Sequence, residues 1–148
     1  MEIIVDEWIV HYISDPPKRG AVFEFLKKVL EKCDRFVTIR GEGLDQKIWR
    51  MAKESGQWEP ESRTFVKWFM ASFRQNSEKF RILEESNAIP VPLELEQETP
   101  SDDLYLVRAA ITTGGFILTT DYRLKEKLSQ KQELTICIVD EFLNRYDC

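Results

Sequence analysis

Four short apolar runs punctuate the chain: Glu2–Val5 (EIIV), Phe36–Ile39 (FVTI), Phe116–Thr119 (FILT) and Leu134–Val139 (LTICIV). Each is enriched in β-branched residues, and their apolarity is continuous rather than alternating. Strands of that kind are covered on both faces, as in a parallel sheet packed between helices. Segments with a helical period lie between them. Val22, Phe25, Leu26, Val29 and Leu30 form one stripe after the turn DPPKRG. Leu104, Val107, Ala110 and Ile111 form another, and Tyr122–Leu128 a short third. The alternation predicts an α/β fold with a central, mostly parallel sheet of four to five strands flanked by helices.

The middle of the chain, from Gly41 to Thr99, is less regular. Leu44–Glu54 and Glu61–Arg74 read as helices, the second with Phe65, Val66, Phe69, Met70 and Phe73 on one face. That face carries more apolar surface than a small domain readily buries, which points to a homodimer or partner contact. Lys79–Glu84 alternates and suits an edge strand, and Pro90, Pro92 and the acidic ELEQET stretch predict a connecting loop. With 148 residues and no composition shift, a single domain spanning 1–148 is expected.

Charge excludes some functions. A net charge of −5 provides no global basic field to attract nucleic acid, although a local groove can still do so. Arg63, Lys67, Arg74, Lys79 and Arg81 are the local concentration; they read as solvated helix faces before they read as a track for RNA. Cys33, Cys137 and Cys148 are odd in number and lack a metal-like spacing, so reduced thiols are expected, with Cys33 and Cys137 buried. No segment approaches the ~20 apolar residues of a membrane span, so the reading is a soluble cytoplasmic protein with no membrane partner.

The strand ends carry the chemistry. In open parallel sheets, sites form at the C-terminal ends of the strands, near the point where strand order reverses. Asp6 follows EIIV directly, and Asp121 follows FILTT. Asp103 opens the helix that leads into FILT, and the segment after FVTI offers Glu42 and Asp45, of which Asp45 is preferred. Carboxylates converging in one cleft repel one another unless a cation neutralises them. Oxygen-only ligation suits Mg²⁺ or Mn²⁺, whereas zinc favours His and Cys, and the single histidine, His11, argues against zinc. Such an ion serves phosphodiester hydrolysis by activating water and neutralising phosphate charge. Thr119 or Thr120 is placed to hydrogen-bond a metal water or a phosphate oxygen.

The order strand–Asp6, then Asp103-Leu-Tyr-Leu-Val-Arg-Ala-Ala-Ile, then Gly115-Phe-Ile-Leu-Thr-Thr-Asp121 resembles the PIN-domain nucleases, and the tail ICIVDEFLNRY resembles that family's closing strand and last helix. The second acidic motif departs from the family's pattern, in which a mid-helix Glu is usual. The resemblance implies a PIN-like three-layer fold and a metal-dependent ribonuclease, as in VapC-like toxins with an antitoxin partner and in RNA-processing relatives. Asp6, Asp103 and Asp121 would be the metal ligands. Asp45 would complete the catalytic cluster, with Thr119, Thr120 and Glu42 in support.

Each acid also has a plainer use. Asp121 suits the N-cap of YRLKEKL. The run Thr99-Pro100-Ser101-Asp102 fits a capping box, which accounts for Asp102 and leaves Asp103 without a local role. Asp6 is hardest to explain structurally, because an acid at the end of a central strand gains nothing from burial. Trp8, Trp49, Trp58 and Trp68 read as core or interface residues. The main alternative function is an inactive PIN-like module that binds protein or RNA. A phospho-aspartyl domain ranks below it, since no lysine follows the late strand and no D-x-D follows the first.

Overall fold

The computed structural model describes residues 1–41, 43–128, 130–131 and 133–146. Its elements alternate along the chain. β1 (Glu2–Val5) leads through α1 (Trp8–Ser14) and α2 (Pro16–Glu31) to β2 (Arg35–Ile39). Next come α3 (Gly43–Glu54), α4 (Pro60–Phe69) and β3 (Phe80–Leu83). Then α5 (Leu93–Glu98) and α6 (Leu104–Thr113) precede β4 (Phe116–Thr119), α7 (Tyr122–Leu128), β5 (Ile136–Ile138) and α8 (Val139–Arg145).

All four strand pairings are parallel, in the order β3-β2-β1-β4-β5. Ile3 of β1 sits opposite both Phe36 and Phe116, so β1 lies at the centre. The chain first builds outward from β1 to β3 and then restarts on the other side with β4. The reversal places a crevice between the C-terminal ends of β1 and β4, where this sheet type forms its sites. Gly114-Gly115 delivers β4 to that position. Gly114 ends α6 with φ of 74°, a left-handed conformation open to glycine. At Gly115 a Cβ would stand 2.4 Å from the Glu2 carbonyl oxygen, so only glycine permits this approach to β1.

Helices cover the sheet. α6 packs across β1, β2 and β4, while Phe25 of α2 meets Phe36 of β2 at 5.8 Å and Phe142 of α8 at 5.9 Å between ring centroids. The apolar face of α4 is inside the molecule: Val66, Phe69, Met70 and Phe73 are buried, and Phe65 and Trp68 pack on Phe23. This removes most of the surface expected to drive dimerisation. The helix continues as a π-turn over Met70–Arg74, which keeps Phe73 stacked on Phe69.

Four local expectations change. The ELEQET stretch is the helix α5, with Leu95 buried. Residues 101–103 form a 3-10 turn without a side-chain cap, and Thr99 bonds back to the Leu95 carbonyl at 2.6 Å, so the capping box does not form. LTICIV yields only three strand residues, since Val139 already opens α8. Cys33 is exposed at the turn after α2, and Cys137, although buried, is disulfide-bonded, against the expectation of buried reduced thiols.

Candidate active site at the β1–β4 crevice

Asp6 extends β1 by one residue, and the β1–β4 register carries it next to Thr119. The Thr119 hydroxyl donates to Asp6 Oδ2 at 2.6 Å, and the Trp8 backbone N–H donates to Oδ1 at 2.9 Å. Trp8 is fixed in turn by its indole N–H, which donates to the Leu118 carbonyl at 2.8 Å. The two strands are thus stitched together around the acid. The Asp121 backbone N–H donates to the Thr119 hydroxyl at 3.1 Å, so one threonine links both strand-end acids. Thr119 is fully buried and holds the position; Thr120 is exposed on the cleft wall.

Asp121 caps α7, accepting from the backbone N–H groups of Arg123 (2.9 Å) and Leu124 (3.2 Å) through Oδ1. The cap uses one oxygen and faces the cleft as well, so the two uses are compatible. Asp103 reaches the same cleft from the start of α6. The cavity, of about 1030 Å³, is lined by Asp6, Asp103 and Asp121 together with Glu7, Asp102 and Asp140.

These acids feel one another. Burial pushes the Asp6 carboxyl above its ordinary range, and the charges of Glu7 and Asp121 add to the effect against the two hydrogen bonds. Asp103 is pushed up to about 6, first by burial and then by Asp121 and Asp6. Among the described residues, none of the three has a Lys or Arg within 4.0 Å. Oxygen donors with no cationic side chain in contact fit a hard divalent cation. Among those residues, however, no three His, Cys, Asp or Glu side chains are gathered tightly enough to hold one as they stand.

Asp45 is not brought to the cleft. It is buried on α3 and takes a two-point bond from Arg74, with Nε–Oδ1 at 2.7 Å and Nη2–Oδ2 at 3.3 Å. A guanidinium so placed satisfies the carboxylate and turns it away from solvent. Glu42 lies outside the described residues. Of the basic cluster, Arg74 serves Asp45, Lys79 Nζ donates to the carbonyls of Val29 and Asp34, and Arg81 stands 3.7 Å from Glu2. Those three are held by internal partners.

Two cleft acids were missed. Asp140 follows β5 by two residues and accepts from the Tyr12 hydroxyl at 3.0 Å. The strand-end rule that selects Asp6 and Asp121 applies to it as well. Glu7 is ion-paired with Lys47 of α3, a long-range contact with no sequence signal.

No protein-family model and no curated protein matches the sequence. Solved structures with a similar fold include a chain of VapBC2 from Rickettsia felis bound to a DNA fragment from their promoter. The TM-score is 0.56 at 12% identity, covering 93% of this chain and 98% of that one. A second is FitAcB from Neisseria gonorrhoeae, with TM-score 0.50 at 13% identity, covering 90% and 95%. At such identities the likeness shows fold alone. The architecture is the α/β, PIN-like arrangement of a five-stranded parallel sheet flanked by helices.

Proposed function

We propose that the chain is a metal-dependent ribonuclease that hydrolyses RNA phosphodiester bonds at the β1–β4 crevice. The observation that carries this reading is the convergence of Asp6, Asp103 and Asp121, from three different elements, on one cleft, with no Lys or Arg within 4.0 Å of them among the described residues. The three would hold Mg²⁺ or Mn²⁺, which when bound supplies an activated water and neutralises the phosphate. The chain's own contribution is orientation. Thr119 and the Trp8 backbone hold Asp6, the α7 cap holds Asp121, and the 3-10 turn before α6 presents Asp103.

The fold likeness to chains of VapBC2 and FitAcB supports the narrower reading of a toxin with an antitoxin partner, acting in the cytoplasm. A homodimer remains part of the proposal, although the α4 face that suggested it is largely internal. The test is cleavage of a labelled RNA in Mn²⁺ by the wild type and by Asp6→Asn, Asp103→Asn and Asp121→Asn. Each substitution is expected to slow cleavage by at least about a hundredfold. A variant that cuts at the wild-type rate removes its residue from the site. Asp45→Asn is expected to leave the chemistry intact, because Asp45 is engaged by Arg74.

The second reading, a PIN-like module acting through binding, is favoured by that same diversion of Asp45 and by the absence of a tight ligand cluster among the described residues. It predicts wild-type RNA or protein binding without Mn²⁺-dependent cleavage.

A further inference from the structure

Tyr122 begins α7 immediately after Asp121, lines the cleft and leaves 60% of its surface exposed. A large aromatic ring held in water at the mouth of a polar cleft is an available stacking surface. It does not stand alone. Arg123 and Lys127, one helical turn apart on α7, line the same cleft. Lys18 reaches the cleft from α2, with its ammonium 4.3 Å from the centroid of the Tyr12 ring. Among the described residues none of these three cations has a carboxylate within 4.0 Å. An acidic floor is therefore flanked by cations that have no carboxylate contact among the described residues and by an exposed aromatic ring, on a chain whose net charge is −5.

A strand with one phosphate over the acids carries its next phosphates and its bases onto this rim. Cations suit the phosphates, and a ring suits a base whose face is unpaired and unstacked. We propose that Tyr122 is the base-stacking residue of the cleft, with Arg123 and Lys127 holding adjacent phosphates, so that the site selects an unpaired strand over a duplex. This rests on the ribonuclease reading and names the feature of RNA that the site recognises. In a duplex the base faces are covered by their neighbours, and Tyr122 has nothing to stack on.

The test is fluorescence anisotropy of an end-labelled, short single-stranded RNA and of its duplex, in Ca²⁺ buffer. The wild type is compared with Tyr122→Phe, Tyr122→Leu and Tyr122→Ala. Tyr122→Ala is expected to weaken single-strand binding about tenfold. Tyr122→Leu should lose most of the same affinity while keeping a good helix former at the start of α7. Tyr122→Phe should stay within about twofold, and duplex binding should not change. Arg123→Gln and Lys127→Gln should each lower the slope of log affinity against log salt by about 0.7. If the wild type binds the single strand and both Tyr122→Leu and Tyr122→Ala bind it equally well, the stacking role is overturned and the ribonuclease reading stands. If the wild type binds no RNA, both are overturned.

Discussion

At the scale of single residues, the two edges of the sheet are built on opposite electrostatic terms. At the N-terminal edge, Glu2 is neutralised by Arg35 at 2.6 Å, with Arg81 at 3.7 Å. At the C-terminal edge, Asp6, Asp103 and Asp121 have no such partner among the described residues, and Asp103 rises to about 6. A carboxyl whose folded value lies above its unfolded one favours the protonated form, so the folded state binds the proton more tightly. Stability contributed by protonated Asp103 is present near pH 4 and lost as pH rises through about 6. Asp103→Asn should therefore raise the Tm of the chelator-treated protein at pH 7 and flatten its dependence between pH 4 and 7. Thermal melts across that range check it, and a lower Tm for the variant would contradict the electrostatic account. A substitution that stabilises the fold while stopping the chemistry is the signature of a functional site.

At the scale of elements, two local devices fix how neighbouring elements meet. The first is the Gly115 approach of β4 to β1. A methyl group there would meet the Glu2 carbonyl at 2.4 Å, so Gly115→Ala should cost roughly 2 kcal/mol or more, read from urea unfolding. The second is the bond between the π-turn after α4 and α3. Arg74 pairs with Asp45 while its guanidinium lies 5.0 Å from the Trp49 ring and 5.7 Å from that of Phe80. Both charged side chains are largely buried, at 14% and 11% exposure, so deleting one leaves the other uncompensated. Arg74→Ala should destabilise by about 3 kcal/mol, and the double variant Arg74→Gln/Asp45→Asn by less, measured in the same denaturation series.

At the scale of the whole molecule, the fold gathers Asp6, Glu7, Asp103, Asp121 and Asp140 along one cleft, where the proposed metal would neutralise them. A ligand that binds only the folded state at about a hundred times its Kd adds about 2.7 kcal/mol. For a protein of this size that corresponds to a rise of roughly 5–10 °C in Tm. Saturating Mn²⁺ should produce such a rise in the wild type, and little of it in Asp6→Asn. An equal rise in both proteins would place the ion elsewhere. The same melts report on cation binding without any RNA present, so they separate the metal site from the activity proposed for it.

Strand positions and the α/β class were legible because continuous β-branched runs admit few environments other than a doubly covered sheet. Glu2–Val5 and Phe116–Thr119 form strands over the very residues read from the sequence, and the 80–83 segment is the edge strand β3. Asp6 and Asp121 could be placed at one sheet edge from their positions after those strands, since a parallel sheet sends every strand's C-terminal end the same way. The rest was decided by contacts distant in sequence. Asp45 reads as a site acid because a carboxylate at a helix start looks alike whether it faces a cleft or an arginine. The partner that withdraws it lies 29 residues away on a π-turn that periodicity does not reveal. The α4 face reads as an interface because sequence shows how apolar a helix is but not how much core awaits it. Sequence alone determined the strand cores and where β1 and β4 end, because those follow from local period and backbone chemistry. Tertiary structure decided which charges find partners and which remain to act, because pairing depends on where distant elements meet.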